Sequence, residues 1–197
     1  DSDGNPYTNG EYRLFDDLSS HVLTEERVVF DIGANIGEWT EKIVSKLQPP
    51  VSVYAFEPAS DTFIELEKNI SCLQESGSAI KCFNMALGEK KNTATLHKGD
   101  KFSGTNSLLA PLHNKEKITV TSTEGVSVER GSDFCFRNQI LYIDFVKIDT
   151  EGYEVSVLRG FEEYLKEGKI GVIQFEYGGS WIDSRTYLLD AFELLLK

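Results

Sequence analysis

The 197-residue sequence lacks the features that would place it in several common classes of protein. No apolar run approaches the ~20 residues of a membrane-spanning helix, so no membrane span is expected. Lysine and arginine together number 20 against 32 aspartates and glutamates, which gives a formal net charge of −12. Because a nucleic-acid groove needs a basic stripe to neutralise phosphates, nucleic acid is not an expected partner.

Cysteine is also scarce. Cys72, Cys82 and Cys135 are odd in number and show no metal-binding spacing, so neither a disulfide framework nor a cysteine-ligated metal is predicted. Free thiols are typical of a reducing compartment, and a cytoplasmic location is the expectation.

What the sequence contains instead is an alternation of strand and helix patterns. Strands are predicted at residues 28–32, 51–57, 79–87, 144–149 and 170–176, and helices at 38–47, 60–73, 153–166 and 184–196. This order predicts an α/β fold with a doubly wound, mostly parallel sheet. We expect one main domain over residues 28–197, preceded by a partly mobile N-terminal segment, residues 1–27, with a short helix over 11–23.

Residues 88–131 interrupt the alternation. The segments TATLHKG, KITVTS and GVSVERG have the pattern of short hairpin strands and flank the polar loop KFSGTNS. An inserted β-hairpin region is therefore predicted over about residues 93–130. The sequence stops within the helical pattern FELLLK, where such a domain usually adds one or two more strands, so a truncated C-terminal end is expected.

The turn DIGANIG, residues 31–37, follows the first predicted strand. Ligands of an open parallel sheet bind beyond the carboxyl ends of its strands. Gly33 and Gly37 let a ligand approach the backbone there, and the free N–H groups of the next helix favour a negatively charged group. Asp31 ends the strand, where it is placed to orient the turn or to meet an ammonium group.

The spacing within this turn separates two kinds of cofactor. A dinucleotide-binding turn has the pattern G-x-G-x-x-G, and a P-loop needs Gly-Lys-Ser or Gly-Lys-Thr. Neither occurs, and Asn35 stands where the dinucleotide pattern needs its middle glycine. The turn therefore suits the carboxylate and amine of an amino-acid tail better than a pyrophosphate.

Glu57 ends the second strand, where a carboxylate can accept hydrogen bonds from both hydroxyls of a ribose. Alone, Glu57 would be read as a solvated carboxylate at a strand end. Beside the glycine turn, it indicates a nucleoside. A nucleoside that carries an amino-acid tail indicates S-adenosylmethionine. Met85, at the end of the third strand, is placed either to border the adenine or to pack in the core. The candidate cofactor-binding residues are Asp31, Gly33, Ala34, Asn35, Gly37, Glu57, Pro58, Met85 and Ala86.

A second group of acids follows the fourth and fifth strands. Asp149 and Glu176 end these strands, and Glu151 and Glu154 come where the next helix begins. If the two strands are neighbours, the carboxylates meet at the edge of the sheet where ligands bind. Glu151 and Glu154 could instead be acids favoured by the dipole of a helix N-terminus. Lys147 lies within a strand, where an unpaired buried charge is costly, and is expected either to pair with a carboxylate or to reach out at the end of the sheet.

The segments FDIGANIGEWT, AFEP, MALG, KIDTEGYEVSVLRG and QFEYG occur in this order. With them the sequence resembles the FkbM family of S-adenosylmethionine-dependent methyltransferases over about residues 28–197. The resemblance implies a Rossmann-like class I methyltransferase fold and O-methylation of a hydroxyl on a sugar or natural-product-like small molecule. By position it implies that Asp31, Gly33, Asn35, Gly37 and Glu57 hold the cofactor and that Asp149, Glu151 and Glu154 belong to the signature at the active edge.

Methyl transfer to an alcohol calls for a base or a metal ion beside the acceptor hydroxyl. The candidate catalytic residues are Asp149, as the first choice of base, Glu176 and Glu151. Mg²⁺ is not favoured, because no Asp-Asn or Asp-Asp pair follows the fifth strand, and no metal site is assigned. His97 and His113 lie in the inserted region, where a lid role and an ordinary surface role both stay open.

Two other functions stay open at this point. One is a non-catalytic module that binds S-adenosylmethionine or a nucleoside. The other, with less support, is an NAD-dependent oxidoreductase, against which only the missing G-x-G-x-x-G pattern argues.

Overall fold

The computed structural model describes residues 27–47, 51–71, 73, 77–99, 104–110 and 120–196. Several predictions lie outside the described residues: the mobile N-terminal segment, the helix over 11–23, the first half of the strand KITVTS, and any role of His113 or Cys72. Cys82 and Cys135 are both free thiols, as predicted.

The strands are β1 (Arg27–Ile32), β2 (Val51–Phe56), β3 (Ala79–Phe83), β4 (Ala86–Gly88), β5 (Asn92–Lys98), β6 (Ser122–Arg130), β7 (Ile143–Ile148) and β8 (Ile170–Phe175). The helices are α1 (Glu38–Lys46), α2 (Ser60–Ser71), α3 (Gly131–Arg137), α4 (Glu154–Gly160), α5 (Glu162–Lys166), α6 (Ser180–Ser184) and α7 (Leu188–Leu195). None of these helices is long and apolar enough to cross a membrane.

Five strands form the main sheet in the order β3-β2-β1-β7-β8, and every neighbouring pair is parallel. The predicted doubly wound parallel sheet is therefore confirmed. Successive residues of β1 are buried on opposite faces, where Val29 packs against α1 and Phe30 packs against α3 and its neighbours. This two-sided burial is why the strands are almost continuously apolar. The chain runs outward from β1 to β3 and returns to the other side of β1 at β7, so a crevice opens between β1 and β7.

The register of the main sheet aligns the ends of its strands. Ile32 pairs with Phe56 on one side and with Ile148 on the other, and Ile148 pairs with Phe175. The residues that follow these four therefore form one row along the carboxyl edge. They are Gly33, Glu57, Asp149 and Glu176, all of which are candidate site residues.

The inserted region forms a second, three-stranded sheet. β5 and β6 are antiparallel, as the hairpin prediction requires, and β6 also pairs in parallel with β4. The single strand predicted over 79–87 is wrong: the chain leaves the main sheet after Phe83 and enters the second sheet at Ala86. Between them the Asn84 side-chain amide donates to the carbonyl oxygens of Glu57 and Pro58, both at 3.0 Å, which turns the chain.

Two helix predictions also need correction, and one helix was not predicted. The helix predicted over 153–166 is two helices, α4 and α5, with Phe161 between them. The helix predicted over 184–196 begins only at Leu188 and is preceded by the short α6. The sequence reasoning missed α3 altogether, although its Phe134 packs edge-on against Phe30 and Phe56 in the main core.

Candidate active site

The glycine turn is fixed between the ends of β2 and β7. The backbone N–H groups of Gly33 and Ala34 both donate to Phe56 O, at 3.0 and 2.9 Å. Gly33 has φ +82°, and a Cβ there would lie only 1.8 Å from Asp149 O. Gly37 also has positive φ and caps α1. Gly33 thus serves packing between strands, in addition to lining the crevice.

Asp31 lies behind this turn rather than in the crevice. It is fully buried, accepts a hydrogen bond from Thr40 Oγ1 at 2.6 Å, and lies 3.8 Å from Lys147 Nζ. Burial raises the pKa of Asp31, and the charge of Lys147 opposes this rise. The prediction that Lys147 pairs with a carboxylate is confirmed, because its Nζ also lies 3.1 Å from Asp149 Oδ2.

Glu57 follows β2 at the carboxyl edge of the sheet and is only 5% exposed. Its Oε2 accepts a hydrogen bond from the Asn35 N–H at 3.0 Å, and its Oε1 accepts one from the Ala59 N–H at 2.9 Å. Burial raises the pKa of Glu57 to about 7, and these two hydrogen bonds oppose the rise. Each oxygen keeps a lone pair that can accept another donor.

A cavity, called here the first cavity, opens at the carboxyl edge over β1, β2 and β7. Six of its lining residues are predicted cofactor-binding residues, namely the five residues Gly33, Asn35, Glu57, Met85 and Ala86, together with Pro58. The remaining wall is Ile32, Phe56, Leu87, Leu96, Gly104, Asn106, Leu108, Asp149, Thr150, Glu151 and Tyr153. Of the predicted set, Asp31, Ala34 and Gly37 are not among the described residues that line it.

The loop after β7 is held by Glu154. Glu151 and Gly152 both have positive φ, 53° and 102°, so this loop is conformationally demanding. Glu154 is 1% exposed, and its Oε1 accepts hydrogen bonds from the Thr150 N–H, the Thr150 hydroxyl and the Gly152 N–H, at 2.9, 3.0 and 3.2 Å. The last acid of the KID-x-EG-x-E motif therefore supports the loop that presents Glu151.

The structure brings the three predicted catalytic acids together. Carboxylate oxygens of Asp149, Glu151 and Glu176 all lie within 4.8 Å of one another. Burial, with the neighbouring charges of Asp149 and Glu151, raises the pKa of Glu176 to about 8. The oxygen ligands and spacing would also suit a divalent cation, although acidic clusters of this kind are common without one.

A second cavity lies on the other side of this cluster. It is lined by His97, Gly99, Thr105, Ser107, Leu109, Val120, Glu151, Glu176, Gly178, Gly179, Ser180 and Asp183. Glu151 lines both cavities, so the two adjoin at the acidic cluster. His97 is half-buried and lines this cavity, and a lid role for it stays a prediction.

Sequence reasoning missed the residues that the inserted region contributes to the first cavity. Leu96 and Leu108 are apolar residues in a segment without a recognisable motif, and Tyr153 lies within a signature that pointed only to its acids. The lid role left open for His97 and His113 was a signal that could have suggested Leu96 and Leu108.

The parallel sheet and its crevice define a Rossmann-like class I methyltransferase fold. Among solved structures, methyltransferase FkbM from Methylobacillus flagellatus KT has a TM-score of 0.59 with this chain at 18% sequence identity, covering 89% of this chain and 38% of that one. The chain belongs to the FkbM methyltransferase family, because the family model described as the methyltransferase FkbM domain matches residues 31–197. The resemblance seen in the motifs is therefore confirmed.

Two curated relatives share part of their length with this chain. Methyltransferase 1 of Beauveria bassiana is 27% identical, over 71% of this chain and 60% of the relative. Hexuronic acid methyltransferase AglP of Haloferax volcanii is 24% identical, over 78% of this chain and 58% of the relative. The chain thus spans about three fifths of the length of these relatives.

Proposed function

We propose that the protein transfers a methyl group from S-adenosylmethionine to a hydroxyl group of a small molecule. The observation that carries the proposal is that Glu151 lines both cavities. A donor in the first cavity and an acceptor in the second would then be neighbours at the acidic cluster. In-line displacement requires such proximity and orientation of the two reactants.

The lining of the first cavity fits S-adenosylmethionine in its chemistry. Glu57 offers carboxylate lone pairs for ribose hydroxyls, and Met85 and Leu108 offer apolar surface for the adenine ring. Gly33 and Asn35 bring the turn before α1 to the same cavity, where the carboxylate of an amino-acid tail would lie near the N-terminus of that helix. When bound, S-adenosylmethionine supplies an activated methyl group, and the residues of the chain position it and exclude water.

The acidic cluster supplies a base for the acceptor hydroxyl. Glu176 lines the second cavity, and its raised pKa of about 8 makes it a stronger base than an ordinary carboxylate. Asp149 lies on the donor side, hydrogen-bonded to Lys147 at 3.1 Å. We propose that Asp149 and Glu176 share the proton that the hydroxyl loses.

The charge of the second cavity favours a neutral or cationic acceptor, such as a neutral sugar or an amino sugar. Its described lining includes three carboxylates, from Glu151, Glu176 and Asp183, and no lysine or arginine. Lys98, next to His97 in the chain, is turned towards Asp61, at 2.5 Å. A hexuronic acid, the acceptor class in the name of the archaeal relative, would bring a further carboxylate to these acids.

The test is methyl transfer itself. The protein is incubated with S-adenosylmethionine carrying a deuterated methyl group and a panel of neutral, amino and acidic sugars, and products are detected by intact mass. Labelled O-methyl product from neutral or amino sugars supports the proposal. Tight binding of S-adenosylhomocysteine without turnover on any hydroxylated acceptor would favour a non-catalytic binding module, whereas tight binding of NAD and none of S-adenosylhomocysteine would favour an oxidoreductase.

A further inference from the structure

Residues 104–109 lie between the two cavities and line the one and the other in alternation. Gly104, Asn106 and Leu108 line the first cavity, whereas Thr105, Ser107 and Leu109 line the second. Alternation with a period of two is the property of extended chain. Ser107 is at the centre of the segment and exchanges two backbone hydrogen bonds with His97, at 2.8 and 3.0 Å.

Side-chain contacts fix which face of this segment points to which cavity. Ser107 Oγ donates to Glu151 O at 2.8 Å and accepts a hydrogen bond from the Leu109 N–H at 3.1 Å. Asn106 Oδ1 accepts one from the Gly99 N–H at 3.2 Å. The bond from Ser107 to Glu151 joins the inserted region to the loop that presents Glu151, and the other two bonds hold the segment within the inserted region. A shift of one residue would exchange the two faces, as it does in a strand.

Two adjacent leucines occupy opposite faces. Leu108 packs on the small apolar cluster of Ala59, Leu96 and Val126, beside the first cavity. Leu109 instead reaches the loop after β7, where its Cδ1 lies 3.0 Å from the position that a Cβ would take on Gly152. Both leucines are partly buried. The chain therefore offers two equal side chains, one residue apart, that differ in the cavity they line.

We propose that residues 104–109 form a dividing wall whose even-numbered side chains shape the donor site and whose odd-numbered side chains shape the acceptor site. The inference rests on the proposed function, because that function assigns the donor to the first cavity and the acceptor to the second. Leu108 then contacts the nucleoside end of the donor, and Thr105 and Leu109 determine which acceptors fit. The two specificities are separable, although one short segment provides both.

The test compares Leu108→Ala with Leu109→Ala in the whole chain. Binding of S-adenosylhomocysteine is measured by titration calorimetry, and the folded state of each variant is checked by thermal unfolding. Removing apolar cover from the ligand should weaken binding about 10-fold in Leu108→Ala, whereas Leu109→Ala should stay within about 2-fold of the parent. Leu108→Val keeps more of the packing and should weaken binding about 3-fold. This variant tests the same prediction if Leu108→Ala does not fold.

The outcomes separate the wall from the proposed function. If the parent does not bind S-adenosylhomocysteine, the proposed function fails. If the parent binds it and the two leucine variants are weakened equally, or if folded Leu108 variants bind like the parent, the dividing wall is overturned. With any acceptor that the parent methylates, Leu109→Ala should raise the acceptor KM and leave the KM for S-adenosylmethionine unchanged, the reverse of Leu108→Val.

Discussion

Glu57 gives the sharpest test of the donor site, because its buried carboxylate already accepts two backbone hydrogen bonds and is half ionised near neutral pH. Its partners are the N–H groups of Asn35 and Ala59, and its pKa is raised to about 7, mainly by burial. Hydrogen bonds from ribose hydroxyls would favour the ionised form and lower this pKa. Binding of the proposed ligand should therefore release protons from Glu57 and depend on pH.

The expected size of this pH dependence follows from the pKa. With a value of about 7, roughly a tenth of the Glu57 carboxyls are ionised at about pH 6 and roughly nine tenths at about pH 8. The affinity for S-adenosylhomocysteine should accordingly rise about 10-fold over this range. For the free protein, the effect of pH on stability has the opposite sign to its effect on ligand affinity. Between the unfolded and the folded pKa, the folded state keeps a proton that the unfolded chain has released. The contribution of Glu57 to the free energy of unfolding thus falls as the pH rises from 4.5 to about 7.

Glu57→Gln removes the charge while keeping the size of the side chain. Hydrogen bonds to a charged acceptor contribute ~1.5–3 kcal/mol each, so the variant should bind S-adenosylhomocysteine at least ~10-fold more weakly and lose the pH dependence. Glu41→Gln, an exposed position in the first turn of α1, makes the same change of net charge and should retain the parental affinity and its pH dependence. Titration calorimetry at several pH values measures the affinity of each variant. A folded Glu57→Gln variant with parental affinity and pH dependence would refute a ribose role for Glu57.

Three further predictions concern the acidic cluster and the glycine turn. Asp149→Asn should lower turnover by ~10²–10⁴-fold, with affinity for S-adenosylhomocysteine within a few-fold of the parent; lost binding would instead assign Asp149 to the donor site. Turnover should rise with pH to a plateau above about 8, and Glu176→Gln should abolish that rise; a rise that persists would move the base elsewhere. Gly33→Ala should lower the free energy of unfolding in urea by more than ~4 kcal/mol, because its Cβ would overlap Asp149 O. Gly168→Ala, with φ +63° and open space around it, should cost only ~1–2 kcal/mol, and equal losses would contradict the packing argument.

The main sheet could be predicted because its strands form short, largely apolar runs, which in the central strands β1, β2 and β7 reflect burial on both faces. The same property caused the error at 79–87. The residues from Phe83 to Leu87 are apolar except Asn84, and no local pattern shows that the Asn84 side chain bonds to Glu57 O and turns the chain into another sheet. Helix α3 was missed for a similar reason: it is seven residues long, and Phe134 acquires its role only from rings on three strands.

The site could be predicted in its residue types but not in the direction of every side chain. Strand-end acids are visible in the sequence, and the register does bring Glu57, Asp149 and Glu176 to one edge. Whether an acid faces the crevice depends on the partners that its side chain finds in the folded chain. Asp31 turns to Thr40 and Lys147, and Glu154 turns to the backbone of its own loop. The wall formed by residues 104–109 depends on a bond from Ser107 to Glu151, 44 residues away, which no local pattern records.

Lys147 links the buried turn to the acidic cluster, and this link assigns different roles to two neighbouring acids. Its register partner is Asp31, and its Nζ also bonds to Asp149 at 3.1 Å, so the negative charge of Asp149 is held by a buried cation. The described contacts of Glu176 include no such cation, and its pKa is raised by burial and by Asp149 itself. When the two carboxylates share a proton, that proton therefore belongs on Glu176, on the side of the second cavity. Burial raises the pKa of Glu176 most, and the charge of Asp149 raises it further, so the residual turnover of Asp149→Asn should rise with pH at a midpoint below that of the parent. We infer that Asp149 sets the basicity of the pair, whereas Glu176 meets the acceptor hydroxyl.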